Sequence, residues 1–200
     1  TTNAGDIEFR GFTSSKRLAL HEIQVDHAGD MGLTYFRLYQ YTGEEKYKTA
    51  AINVANTLAN KARIGSAKQS VWPYRVVMNT GEVKAEYGAN WFGSYALLDN
   101  LTKAKIGNIS AYQSAMIKAK DFLLQFPMKT GYWTDGHTDT DVNSNTYRSN
   151  MSASNATLYL LDHPEFDPAW KMDVPNLIQW TEDYFINRSA PGEPANQWGA

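Results

Sequence analysis

Leu38-Tyr39-Gln40-Tyr41-Thr42-Gly43-Glu44-Glu45-Lys46-Tyr47, followed by Ala51-Ile52-Asn53-Val54-Ala55-Asn56-Thr57-Leu58-Ala59, is the stretch on which the fold turns. Before it, Ala28, Met31, Tyr35, Leu38 and Tyr39 recur at steps of three and four, the period of an amphipathic helix over 28–41. Thr42-Gly43 stops that helix. A second begins at once, with Tyr47, Ala51, Val54, Ala55, Leu58 and Ala62 on one face of 44–62, and Thr42 with Glu45 fits a capping box. So short a connection makes the two helices antiparallel neighbours.

The same unit returns twice. Trp91, Tyr95, Leu98 and Leu101 form a stripe over 90–104, and Tyr112, Ala115, Met116, Ala119, Phe122, Leu123 and Phe126 form one over 110–126, with Ser110 and Gln113 as a second capping box. A third pair is expected from Ser149 to Leu161 and from Pro175 onward through Leu177, Ile178, Thr181, Tyr184 and Phe185, with proline in the first helical turn. Helix starts near 28, 90 and 149 recur at roughly 60 residues, one supersecondary unit each time. The expected class is all-α: one α-hairpin-repeat domain over 1–200, built of three antiparallel α-hairpins.

Two polar and aromatic segments, 65–89 and 127–148, separate the hairpins and are too long to be mere connections. Val71-Trp72-Pro73-Tyr74-Arg75-Val76-Val77 followed by Asn79-Thr80-Gly81-Glu82 predicts a small β-hairpin in the first. The second carries Asp135, His137, Asp139 and Asp141 beside Tyr132 and Trp133. Long loops between short elements are where function concentrates.

Composition narrows the function. With 19 basic and 21 acidic residues, net charge is -2, without the cationic excess that nucleic acid or anionic lipid rewards, so neither is an expected partner. No run approaches the roughly 20 apolar residues of a membrane span. Zero cysteines exclude disulfides, thiolate metal sites and cysteine nucleophiles. Thr1 to Arg10 hold no basic region followed by an apolar run, so no signal peptide is expected in this chain.

The quoted stretch reads like the inner-to-outer helix turn of the (α/α) toroid, six-hairpin glycosidase superfamily, and the loop Trp72-Pro73-Tyr74-Arg75-Val76 resembles uncharacterised bacterial members of it. The resemblance implies a carbohydrate substrate, a secreted or periplasmic location and part of a ring, since such toroids close with six or seven hairpins. The chain is then expected to be a fragment whose partner is the missing remainder of the toroid. Unsaturated glucuronyl hydrolases in that superfamily carry an Asp, an apolar residue and Gly entering an inner helix, and Asp30-Met31-Gly32 is similar. Their second carboxylate falls one hairpin later, where this chain has Asn90, with Glu86 four residues before it.

Glycoside hydrolysis needs two carboxyl groups flanking the scissile bond, one protonated and one ionised. The catalytic candidates are Asp30, Glu86, Asp139 and Asp141. Trp72, Tyr74, Tyr87 and Trp133 are candidate platforms for sugar rings, Arg75 for a uronate carboxylate, and His27 and His137 for further substrate contacts. Trp91, on a helix stripe, belongs to the core, and Asp26 and Asp30 are also placed to cap the first helix. No cofactor is expected. The histidines lack zinc spacing, and Asp139, Asp141, Asn143 and Asn145 depart from an EF-hand at Ser144 and Asn150, though a looser calcium site remains open. Two other functions fit the same residues: a polysaccharide lyase, abstracting a proton beside a uronate carboxylate with Tyr or His, and a non-catalytic carbohydrate-binding or scaffold module.

Overall fold

The computed structural model describes residues 12–13, 16–17, 21–134 and 148–185. In chain order these form β1 (Phe12–Thr13), β2 (Lys16–Arg17), β3 (Glu22–Gln24), α1 (Val25–Thr42), α2 (Glu45–Lys61), β4 (Arg75–Val77), β5 (Val83–Ala85), α3 (Phe92–Lys103), α4 (Ile109–Gln125), α5 (Pro127–Thr130), α6 (Asn150–Asp162), a 3-10 turn (Pro164–Phe166) and α7 (Trp170–Phe185). The protein is mostly helical, with a small antiparallel sheet of three strands in the order β3-β4-β5. No described helix is long and apolar enough to cross a membrane.

Among the described residues there are three helical hairpins, α1–α2, α3–α4 and α6–α7, at the recurrence the stripes predicted. Gly43 ends α1 in the left-handed region at φ 72°, with its N–H on Tyr39 O at 2.8 Å, a conformation glycine adopts without a Cβ penalty. The first helices of the hairpins pack side by side, α1 on α3 and α3 on α6, while α2 packs on α4 behind them. The core lies between these layers, around Ala51, Ala55, Leu58, Leu97, Leu98, Leu101, Tyr112, Ala119 and Phe122.

Local chemistry differs from the sequence reading at four places. The most deeply buried face of α1 carries Gly29, Gly32 and Phe36, whereas Ala28, Met31, Tyr35, Leu38 and Tyr39 are half-buried. A Cβ on Gly29 would lie 1.9 Å from Ser94 Oγ, and one on Gly32 would lie 2.5 Å from Leu97 Cδ2, so α1 meets α3 where its side chains vanish. Hydrophobic periodicity does not register such a seam. Neither capping box forms: Thr42 Oγ1 accepts from Glu44 N–H at 3.2 Å outside α2, and Asn108, not Ser110, caps α4 by accepting from Ala111 N–H at 3.3 Å. Pro175 lies inside α7, because Asp167 Oδ1 accepts from Ala169 N–H at 2.9 Å and starts the chain turning five residues before the helix reaches the proline. Finally, the expected β-hairpin in 65–89 recruits a third strand, β3, with Ile23 opposite Val76 and Gln24 opposite Arg75.

Candidate active site

The N-terminal ends of α1, α3 and α6 meet at a buried polar cluster. Asp26, in the first turn of α1 and 2% exposed, accepts through Oδ2 from Asn90 Nδ2 at 3.2 Å. Asn90 Oδ1 in turn accepts from Asn155 Nδ2, in the second turn of α6, at 2.9 Å. One asparagine thus links three helices. A buried carboxylate is retained at tolerable cost only with donors of this kind. Nearby, Gln24 Nε2 donates to Tyr74 Oη at 2.6 Å, and Val25 N–H donates to Tyr74 O at 2.9 Å, fixing the entry of α1 against the sheet.

Asp30, one turn beyond Asp26, lies on the exposed face of α1 that continues through Thr34, Arg37 and Tyr41. Its carboxyl lies over the first turn of α3: a Cβ on Gly93 would stand 1.7 Å from Asp30 Oδ1. The residue as a whole is exposed, while its Oδ1 lies close against Gly93 of α3. That partial desolvation raises the Asp30 carboxyl above the usual carboxylate range, and the neighbouring His27 partly offsets the rise.

Both long segments reach this end of the molecule. Ala89 N–H donates to Thr134 O at 2.6 Å, Tyr87 Oη donates to Tyr132 O at 3.2 Å, and the Tyr87 and Tyr132 rings lie 4.8 Å apart. Burial, and then the Tyr132 phenol, push the Tyr87 hydroxyl upward, so it stays protonated. Ser149 N–H donates to Trp133 O at 2.7 Å, so the chain departs after Thr134 and returns at Arg148 within one small region. His137, Asp139 and Asp141 lie outside the described residues, as do Asp135, Asn143, Ser144 and Asn145.

The remaining candidates separate. Glu86 is ion-paired with Arg63, which also donates from Nε to Ser70 O at 2.9 Å, and Glu86 Oε2 accepts from Gln69 Nε2 at 3.5 Å. This clamps Glu86 beside the C-terminal end of α2. Trp72, Tyr74 and Trp133 expose 0%, 2% and 1% of their surface and pack the core, with Trp72 Nε1 donating to Leu58 O at 2.8 Å and its ring edge-on to Trp91. Arg75, in β4, stands 4.0 Å from Glu22 Oε2 across the sheet. Among the described residues no group of three or more His, Cys, Asp or Glu is arranged to hold a metal ion.

No protein-family model, curated protein or solved structure matches the chain. Function therefore has to be argued from these side chains. Two features escaped the sequence. Asn155 and Gly93 belong to the site through contacts with residues more than sixty positions away, which no local pattern announces. A second carboxyl pair, Asp167 and Asp173, occupies the start of α7, beyond the C-terminal end of α6 and so at the other end of that helix from Asn155. Desolvation, followed by a hydrogen bond to the nearly buried Asp167, raises Asp173 to about 6.

Proposed function

We propose that the protein is a carbohydrate-active hydrolase, built on part of an (α/α) toroid, that cleaves a glycosidic bond at the mouth where α1, α3 and α6 begin. The supporting observation is Asp30, exposed as a residue on the open face of α1 yet with its carboxyl raised by desolvation against α3. A carboxyl that holds its proton more tightly than an ordinary aspartate is suited to general acid catalysis, protonating the departing glycosidic oxygen. The second carboxylate, which activates water or attacks the anomeric carbon, is assigned to Asp139 or Asp141. Support for that assignment is the tethering of Thr134 and Ser149, the ends of the described chain on either side of both residues, to the Ala89–Trp133 region beside Asn90. Glu86, engaged by Arg63, is the weaker choice. The substrate class is an oligo- or polysaccharide, with uronate-containing chains first in line because Arg37 lies on the same exposed stripe as Asp30.

The test is reducing-end release from a panel of neutral and uronate-containing oligosaccharides. Asp30→Asn should lower kcat by about 100-fold or more with an unchanged circular dichroism spectrum. Asp139→Asn or Asp141→Asn should do the same, one of them alone. On the alkaline limb activity should fall as pH rises through the Asp30 titration, since the protonated form is the working one. Wild-type turnover in all of Asp30→Asn, Glu86→Gln, Asp139→Asn and Asp141→Asn would reject the hydrolase. Absorbance from a new carbon–carbon double bond in the product would replace it with a lyase, and binding without turnover with a carbohydrate-binding module.

A further inference from the structure

A groove of about 730 Å³ runs between the α1–α2 hairpin and the three-stranded sheet, and it includes none of Asp26, Asp30, Asn90 or Asn155. Its sheet wall includes a cross-strand row, Ile23 opposite Val76 and Val76 opposite Val83, of three β-branched residues. Ala28 and Val54 form the helical wall, and the buried Leu58 and Trp72 lie at its base. Met78 and Val83 are 43% and 37% exposed along it, so apolar surface here faces water. The volume falls within the range of about 300–1,000 Å³ typical of small-molecule sites.

Charge among the residues lining the groove has one sign. Its ionisable lining residues are Lys61 and Arg63, with no Asp or Glu. Arg63 is already engaged by Glu86 and Ser70 O. Lys61 makes no ion pair among the described residues, and Lys118 Nζ donates to Ala62 O at 2.9 Å, so the end of α2 has a cation without it. Asn53, Thr57 and Lys61 stand at steps of four along α2, a polar rim leading to that ammonium. An apolar trough with one available positive charge on its lining is complementary to a molecule with an alkyl body and an anionic head.

We propose that this groove binds a single-chain amphiphile with an anionic head, such as an alkyl carboxylate, its chain along the Ile23–Val76–Val83 row and its head at Lys61. The site is independent of the carbohydrate reading. Titration of the full chain with dodecanoate, kept below its micellar concentration and followed by calorimetry and tryptophan emission, tests it. Saturable one-to-one binding is expected, weakening about four-fold for each fully buried methylene removed, with dodecyltrimethylammonium bound at least ten-fold more weakly. Lys61→Glu should weaken dodecanoate at least ten-fold and leave dodecanol unaffected. Thr57→Trp, made at an exposed position on the rim, should abolish binding of both while thermal unfolding remains cooperative. Absence of dodecanoate binding, non-saturating uptake, equal affinity for the cationic amphiphile, or wild-type affinity in Thr57→Trp would each overturn the proposal.

Discussion

Replacing Asn90 interrogates the joint on which the helix layer is assembled. Asn90→Ala removes the donor at 3.2 Å from Asp26 Oδ2 and the acceptor at 2.9 Å from Asn155 Nδ2. A hydrogen bond to a buried carboxylate contributes about 1.5–3 kcal/mol and a neutral amide pair about 1 kcal/mol, so the expected loss is about 3 kcal/mol. Asn155 is half-buried, and water will recover part of its share. Such a loss is large against the roughly 5–15 kcal/mol of a typical domain, yet leaves it folded. Asn90→Asp is sharper: it puts a second carboxyl where the amide now donates, beside Asp26. The two cannot both ionise cheaply, so the pair binds a proton more tightly folded than unfolded. Stability should therefore be retained at about pH 4 and lost as pH rises toward about pH 7. Urea unfolding followed at the helical circular dichroism band, at both pH values, measures each effect. An Asn90→Ala variant within about 0.5 kcal/mol of the parent, or an Asn90→Asp variant whose deficit ignores pH, would show that Asn90 is not the joint described.

Two further outcomes follow from the geometry. Gly29→Ala sets a methyl group 1.9 Å from Ser94 Oγ and 2.8 Å from Ser94 Cα, which should cost about 1–3 kcal/mol by chemical denaturation; Ser94→Gly in the same chain should restore only part, since the backbone contact persists. Asp173, raised from 3.8 to about 6 in the fold, favours the folded state in its protonated form, so that contribution is complete below the unfolded value and fades as pH rises through about 6. Asp173→Asn should then be more stable than the parent above that pH, by about 1 kcal/mol after solvent screening, with the two converging in acid; a constant difference across the range by urea unfolding would refute the raised Asp173 titration.

The hairpin plan was legible because it is periodic. Ala51, Ala55 and Leu58 on α2, and Tyr112, Ala115, Ala119, Phe122 and Leu123 on α4, are buried on the faces their spacing marks. Where packing relies on absent side chains, that signal fails, and α1 buries Gly29 and Gly32 ahead of Met31 and Tyr35. The aromatic loop misleads for a related reason. Trp72 and Tyr74 look like surface platforms in a polar segment, but a loop of that length needs its own anchors, and their polar atoms are satisfied inside by Leu58 O and Gln24. Of the candidate site, Asp30 could be picked out from its place on a helix, whereas Asn155 and Gly93 join it only through tertiary contact.

The two acidic residues opening α1 occupy adjacent turns with opposite surroundings. Asp26 is enclosed, lies in the first turn where unsatisfied amides present positive ends, and accepts from Asn90. Asp30 lies a turn later, where the amide field has faded, and its head presses on Gly93, with the neighbouring His27 offsetting the desolvation only in part. Desolvation then dominates, and the proton is held more tightly. A single helix end thus holds one carboxyl in a buried hydrogen-bonded joint and raises the other on an exposed residue. Gly93 is the residue that allows it: any side chain there would displace the Asp30 carboxyl from the α3 backbone, out toward solvent, and return it to the ordinary carboxylate range.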